Sequence, residues 1–233
     1  RAIIDKQQKI WNGVYMRTSF SILYERFLDV LYPPTCLVCE VDNTWLCNAC
    51  LERILFEEPT TDEIVSIGAY ANPVLRSLLT SLKYRSAACL KVPLQNLLRR
   101  FRSGTSEPFP WVNEPTLSIC SIPSDARRVR ERGVDHIQVL LDLVHQELVP
   151  WATRAELLER TRHVTQNAAL PANELRQLNV QGAFQAAATI QGAVLLMDDV
   201  YTTGATWREA ARILTEAGAS KVYGFVFARK HKK

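Results

Sequence analysis

Apolar positions along the chain fall into two alternating periods. PVLRSLLTSLKY, residues 73–84, and HIQVLLDLVHQEL, residues 136–148, place theirs three and four apart, the spacing of a helix with one buried stripe. VPLQNLLRRF from residue 92 and WREAARILTEAG from residue 207 continue that period, and LERILFEE, residues 51–58, reads as a shorter helix. Between them stand compact apolar runs with strand character: SIGAY at 66–70, LSICSIP at 117–123, AAATI at 186–190, GAVLLMDDV at 192–200 and KVYGFVFARK at 221–230. The Pro, Ser and Gly content of residues 102–116 predicts a loop, and FLDVLYPPT a helical turn stopped by Pro33 and Pro34. Strands alternating with helices predict an α/β fold, a parallel sheet flanked by crossover helices. There is no internal repeat.

One strand carries unexpected chemistry. VLLMDDVYTTGAT, residues 194–206, runs four apolar residues into Asp198 and Asp199. Two adjacent carboxylates repel, and burying either without a partner is costly, so they belong at the carboxyl end of the strand, where open parallel sheets bind ligands. Thr202, Thr203, Gly204, Ala205 and Thr206 follow, offering hydroxyls, backbone N–H groups and a permissive glycine just before a helix. A helix start with free donors suits a phosphate. An anion cradle beside two acceptors can hold a sugar phosphate such as ribose 5-phosphate by both ends. The plainer reading makes the pair a helix cap and the turn a connection. The run is neither a P-loop, which needs GK[ST], nor GxGxxG. Lys83 and Arg85, in KYRS, stand at the end of the first long helix, a place that favours cations through the helix dipole.

Four of the six cysteines lie in CLVCEVDNTWLCNAC. Cys36, Cys39, Cys47 and Cys50 form two CxxC pairs, a spacing that brings four thiolates around one zinc and leaves no open coordination position, hence a structural metal. Cys89 and Cys120 sit in apolar company and read as small core residues. At 233 residues the chain accommodates a lead segment (1–26), a double-CxxC zinc module (27–60) and one larger domain (61–233). No run is apolar and long enough for a membrane span, and the leading residues lack the order of a signal peptide, so a cytoplasmic protein with no membrane insertion is expected. Net charge is +4, too mild to argue for nucleic acid by itself. Its distribution is uneven: ARRVRERG at 126–133 gathers Arg127, Arg128 and Arg130, which suit pyrophosphate, a DNA backbone or plain solvent.

DDVYTTGAT resembles the phosphoribosyltransferase signature. Together with the LYPPTC entry to the CxxC pairs, KYR at 83–85, SIP at 121–123 with its following arginines and Arg132-Gly133, and RQLNVQGAF at 176–184, the chain resembles the ComF family of competence-associated proteins (the GntX-like group) over about residues 27–229. The resemblance implies a phosphoribosyltransferase-like domain joined to a zinc knuckle and linked to DNA uptake. It implies that phosphoribosyl pyrophosphate (PRPP), with Mg²⁺, is contacted by Lys83, Tyr84 and Arg85 and along Asp198, Asp199, Val200, Tyr201, Thr202, Thr203, Gly204, Ala205 and Thr206. Lys83, Arg85, Asp198 and Asp199 would carry any catalysis. The alternative is a non-catalytic PRPP sensor or scaffold that contacts single-stranded DNA or a helicase-like partner. The chain departs from the family where Val134, Asp135 and His136 replace the usual Phe-Asn-Gln, and where Val164 and Asn167 stand for the usual Thr and Gln. His136 and His163 read as packing or surface histidines, Tyr201 and Trp207 as packing residues.

Overall fold

The computed structural model describes residues 33–58, 63–84, 87–161 and 180–231. The helical turn expected before Pro33, Arg85, His163, the 164–167 positions, Arg176 and Asn179 lie outside the described residues.

After the cysteine segment with its short helix α1 (Asn48–Leu51) come β1 (Ile64–Ala69), α2 (Pro73–Tyr84), α3 (Ala87–Gly104) and β2 (Leu117–Ser121). Then follow α4 (Ala126–Arg132), α5 (His136–Leu148), β3 (Thr153–Arg154), β4 (Leu158–Arg160), β5 (Phe184–Ala186), β6 (Ala193–Tyr201), α6 (Ala205–Glu216) and β7 (Lys221–Arg229). Five strands form one sheet in the order β1-β7-β6-β2-β3, and every neighbouring pair is parallel. The α/β parallel sheet flanked by helices is the architecture the sequence pattern predicts.

Period two on the strands divides the core between the faces of the sheet. From β6, Ala193, Leu195 and Met197 join Tyr223, Phe225 and Phe227 of β7 in a core covered by α2, α3 and α5. Val194 and Leu196 point the other way, toward Trp207, Ala210 and Leu214 of α6 and Phe184 of β5. Strands buried on both faces read as continuous apolar runs, which is why β6 and β7 stand out in the sequence.

Two expectations need correction, and one helix is added. Residues 52–58 are not helical: helix α1 ends at Leu51, and the chain runs on beside β1, with the Glu57 N–H bonded to the Ile67 carbonyl at 3.1 Å. Leu51 and Ile54 are buried and Leu55 exposed, a spacing that mimics a helix over so short a run. The strand placed at 186–190 lies earlier, at Phe184–Ala186, antiparallel to β4 in a separate two-stranded sheet rather than in the main sheet. The basic run 126–132 is itself a helix without a buried residue, capped by the Asp125 side chain and closed by left-handed Gly133. Charged nearly all round, it has no apolar period to betray it.

The cysteine segment packs on the larger domain. Cys36, Leu46, Cys50, Leu51 and Ile54 share the core of α2 and α3. Asn72 caps α2, its Oδ1 accepting from the N–H groups of Val74 and Leu75, while its Nδ2 donates to the Arg53 carbonyl at 2.9 Å. Ser77 on α2 donates to the Leu37 carbonyl at 3.2 Å inside the cysteine loop.

Candidate functional site

Strand β6 is the middle of the sheet and outruns β2, so its last residues emerge among loops at the carboxyl edge. Asp198 and Asp199 sit there half-buried rather than exposed. Neighbours make this tolerable. The Asp198 carboxylate turns back to accept the Asp199 N–H at 2.8 Å. Lys83, at the last turn of α2, places Nζ 2.6 Å from Asp199 Oδ2. His136, the first residue of α5, brings Nε2 to 3.5 Å from the same oxygen.

The two carboxyls therefore diverge. Burial and the charge of Asp199 push Asp198 up to about 8. Burial also pushes Asp199 up, but hydrogen bonding to His136 and the charge and hydrogen bond of Lys83 outweigh it, holding Asp199 below the usual carboxylate range. One acidic pair presents a firmly ionised carboxylate beside one that readily keeps its proton, the pattern expected where like charges share a buried site.

After Tyr201 the chain turns through Thr202, Thr203 and Gly204 into α6, whose first residue is Ala205. Gly204 is required twice over: its φ of +75° is left-handed, and a Cβ there would lie 2.1 Å from the Tyr201 hydroxyl. Thr203 Oγ1 accepts the Ala205 N–H at 3.4 Å. Tyr201 is half-buried under the Arg229 guanidinium, 5.5 Å from its ring, so it shapes the turn from beneath. Trp207 packs in the core below α6. Val200 packs against the core of the opposite face.

The structure thus brings Lys83, Asp198 and Asp199 together at one edge with the 202–206 turn following β6. Tyr84 closes α2 beside Lys83. Two further residues join them, one read from sequence as a packing or surface histidine and one not singled out there. His136 is buried at 6% exposure and faces Asp199, so it is no surface or mere packing histidine. Its signal was the departure from the usual Phe-Asn-Gln at 134–136. Arg160, at the end of β4, donates Nε to the Pro123 carbonyl at 3.2 Å and stacks on Phe184 at 5.0 Å. Burial pulls its guanidinium down from its usual range, with Asp125 and Asp198 opposing that and Arg128 adding to it.

The 182–184 stretch belongs to the frame. Phe184 is buried, and Gly182 donates its N–H to Glu209 of α6 at 2.8 Å while its carbonyl accepts from Thr161 Oγ1 at 2.9 Å. The β4–β5 sheet is so fastened to the helix that follows the turn.

In the N-terminal segment, the sulfurs of Cys36, Cys39, Cys47 and Cys50 all lie within 4.8 Å of one another. Zinc–sulfur bonds of about 2.3 Å put the sulfurs of a tetrahedron about 3.8 Å apart. Cys36 and Cys47 are 3.8 Å apart and Cys39 and Cys47 3.5 Å, so this cluster could hold zinc. Glu40 and Asn43 adopt left-handed backbone to turn the loop between the pairs. Burial pushes the Cys36 thiol up, yet backbone N–H groups of Cys39, Cys47 and Val38 overcome it and bring it to about 6, near thiolate at neutral pH. Cys120 is buried in the sheet's second core and pushed up to about 12, an inert thiol. No helix among the described residues is long and apolar enough to cross a membrane.

No protein-family model matches the chain. It is 31% identical over 192 residues to the DNA utilization protein YhgH of Salmonella typhi, covering 78% of this chain and 77% of that protein. Competence protein F of Haemophilus influenzae is 28% identical over 190 residues, 78% of each chain. Competence protein ComFC of Streptococcus pneumoniae is 31% identical over 136 residues, 57% of each. Among solved structures, a glutamine PRPP amidotransferase from B. subtilis is 16% identical with a TM-score of 0.35, covering 76% of this chain and 30% of that one. A hypoxanthine phosphoribosyltransferase from Staphylococcus aureus is 10% identical with a TM-score of 0.34, covering 60% of this chain and 65% of that one. The chain spans less than two thirds of either solved chain. With its double-CxxC cluster and its acidic pair at the sheet's carboxyl edge, the chain belongs to the ComF family of competence-associated proteins.

Proposed function

We propose that the protein binds PRPP at the carboxyl edge of β6, as a phosphoribosyltransferase-like member of its family acting in DNA utilization. The observation that carries this reading is the grip of Lys83 and His136 on Asp199 immediately before the Gly204 turn. The 5-phosphate is assigned to the N–H groups and hydroxyls of residues 202–206, the ribose hydroxyls to Asp198 and Asp199, and the pyrophosphate to Lys83 with Arg85. Phosphate at a helix start gains from both the free donors and the dipole. Magnesium would ride on the pyrophosphate oxygens, where this hard cation is commonly held, and would neutralise charge on the leaving group.

If turnover occurs, the bond from the anomeric carbon to pyrophosphate breaks, the sugar becomes cationic, and an acceptor nucleophile closes the new bond. The ionised Asp199 and its neighbour lie on the sugar side, where they stabilise that developing positive charge, and Lys83 lies where negative charge departs. With the protein at rest Lys83 and Asp199 neutralise each other; ligand entry would turn Lys83 to the pyrophosphate and leave Asp199 to accept from the sugar hydroxyls. Zinc is assigned to Cys36, Cys39, Cys47 and Cys50 as a structural ion, its four thiolates filling every position. The segment 27–60 is then a metal-stapled module on a domain spanning 61–233.

Calorimetric titration of PRPP with Mg²⁺ into the wild type and Asp198→Asn/Asp199→Asn tests the site. Binding by the wild type and loss in the variant is expected; equal affinity would remove the acidic pair from the site. Release of pyrophosphate with an acceptor present would make the protein an enzyme, and tight binding without turnover a sensor.

A second reading has its own support: α4 carries Arg127, Arg128 and Arg130, all exposed, on a helix that buries nothing. A helix kept for its surface suits a phosphate backbone such as single-stranded DNA.

A further inference from the structure

His136 touches charged groups from two elements at once. On one side Nε2 faces Asp199 Oδ2 at 3.5 Å. On the other, Nδ1 faces the Arg132 guanidinium at 3.4 Å, from the last residue of α4. Arginine donates and never accepts. A proton on Nδ1 would therefore confront another N–H and a fixed positive charge, whereas a lone pair there accepts from Arg132. Asp199 makes the opposite demand, since its carboxylate accepts only, and Nε2 must bring the hydrogen. Both partners select the same form of the ring, neutral imidazole protonated at Nε2. The other charges nearby agree. Lys83 reaches the same Asp199 oxygen from α2, so a second cation at His136 would over-neutralise it. Asp135, beside His136, is turned away, accepting from the Ile137 N–H at 3.0 Å and the Ser124 hydroxyl at 2.8 Å.

We infer that His136 is a positioning residue: a neutral donor, its tautomer set by Arg132, whose Nε2–H fixes the Asp199 carboxylate so that its remaining acceptor capacity is aimed at a sugar hydroxyl. For that consequence the inference rests on the PRPP reading; the tautomer stands on the contacts alone. It removes His136 from candidacy as a general base, because its one lone pair is engaged by Arg132. It also gives Arg132 a task distinct from the exposed arginines of α4, since its guanidinium meets the ring and acts through it.

Two measurements on the full chain test this. In a ¹⁵N–¹H long-range correlation spectrum of histidine-labelled protein, the His136 signal is expected to show a protonated Nε2 and a bare Nδ1. Arg132→Gln is expected to shift part of the population to the other form. In titrations with PRPP and Mg²⁺, His136→Leu is expected to bind about tenfold more weakly, the loss of one hydrogen bond to a charged group. His136→Gln, whose side-chain amide can donate from the same place but cannot act as a base, is expected to bind within a few-fold of wild type. A protonated Nδ1 in the wild type, or wild-type affinity in His136→Leu, overturns the inference, as does equal loss in the Gln and Leu variants when both are folded. Should the wild type bind no PRPP, the donor-site reading falls, and the spectrum alone then decides the tautomer.

Discussion

At the residue scale the acidic pair is held in two states, with consequences for stability. Asp199 is depressed in the folded protein, so its contribution is present above the unfolded carboxyl value of about 3.9 and is lost as pH falls through its folded value. Asp198 runs the other way: raised to about 8, its contribution is complete below about 3.9 and is lost as pH rises through about 8. Single isosteric changes should then have opposite signs. Asp199→Asn strands Lys83 and is expected to destabilise by about 1.5–3 kcal/mol at pH 7, lowering the melting temperature by several degrees. Asp198→Asn is expected to melt above the wild type at pH 9 and with it near pH 3. Thermal melts across that range check both; a fall at pH 9 for Asp198→Asn would mean that the second charge is not costly there. The pair, its strand and its turn were legible in sequence because they are contiguous. The ring facing them was not: His136 starts a helix on another part of the chain, and nothing local to it announces an aspartate.

At the element scale the cysteine loop and α2 support one another. The loop lends Leu46, Leu51 and Ile54 to the core of α2, and α2 returns hydrogen bonds from Asn72 and Ser77. Replacing Cys36 and Cys39 by serine is therefore expected to abolish zinc binding, measured by metal analysis, and to lower the melting temperature of the whole protein. A variant free of zinc yet unchanged in melting would mean that packing alone holds the segment. Long amphipathic helices and doubly buried strands were readable because burial imprints a period on each. The start of α3 was obscured by Pro93, which lies inside that helix although proline normally breaks one. The β4–β5 sheet was hidden for a different reason: each strand is three residues long, and pairing joins parts of the chain far apart. Alternation over so few positions carries almost no signal.

At the scale of the whole molecule, where the basic residues of α4 stand matters more than the net charge. A net +4 is modest, yet α4 with its exposed arginines follows the carboxyl end of β2, which runs parallel to β6, and ends at Arg132 beside the His136 that faces Asp199. If that edge meets single-stranded DNA, affinity should fall with salt, and each arginine that contacts a phosphate adds about 0.7 to the slope of log affinity against log salt. Arg127→Ala/Arg128→Ala/Arg130→Ala is expected to flatten that slope by about 2 while leaving PRPP binding intact. An unchanged slope in filter-binding or anisotropy assays would move any nucleic-acid contact elsewhere.

The place of β6 in the middle of the sheet bears on how occupancy of this edge could be seen without any turnover. Residues Ala193 to Met197 are laddered to strands on both sides, so exchange of their amides with deuterated solvent awaits unfolding of the entire domain, while Thr202, Thr203 and Gly204 can open alone. A ligand seated at the turn would slow exchange there first. A change confined to the strand, with the turn untouched, would instead be the mark of a molecule that stabilises the domain from somewhere else.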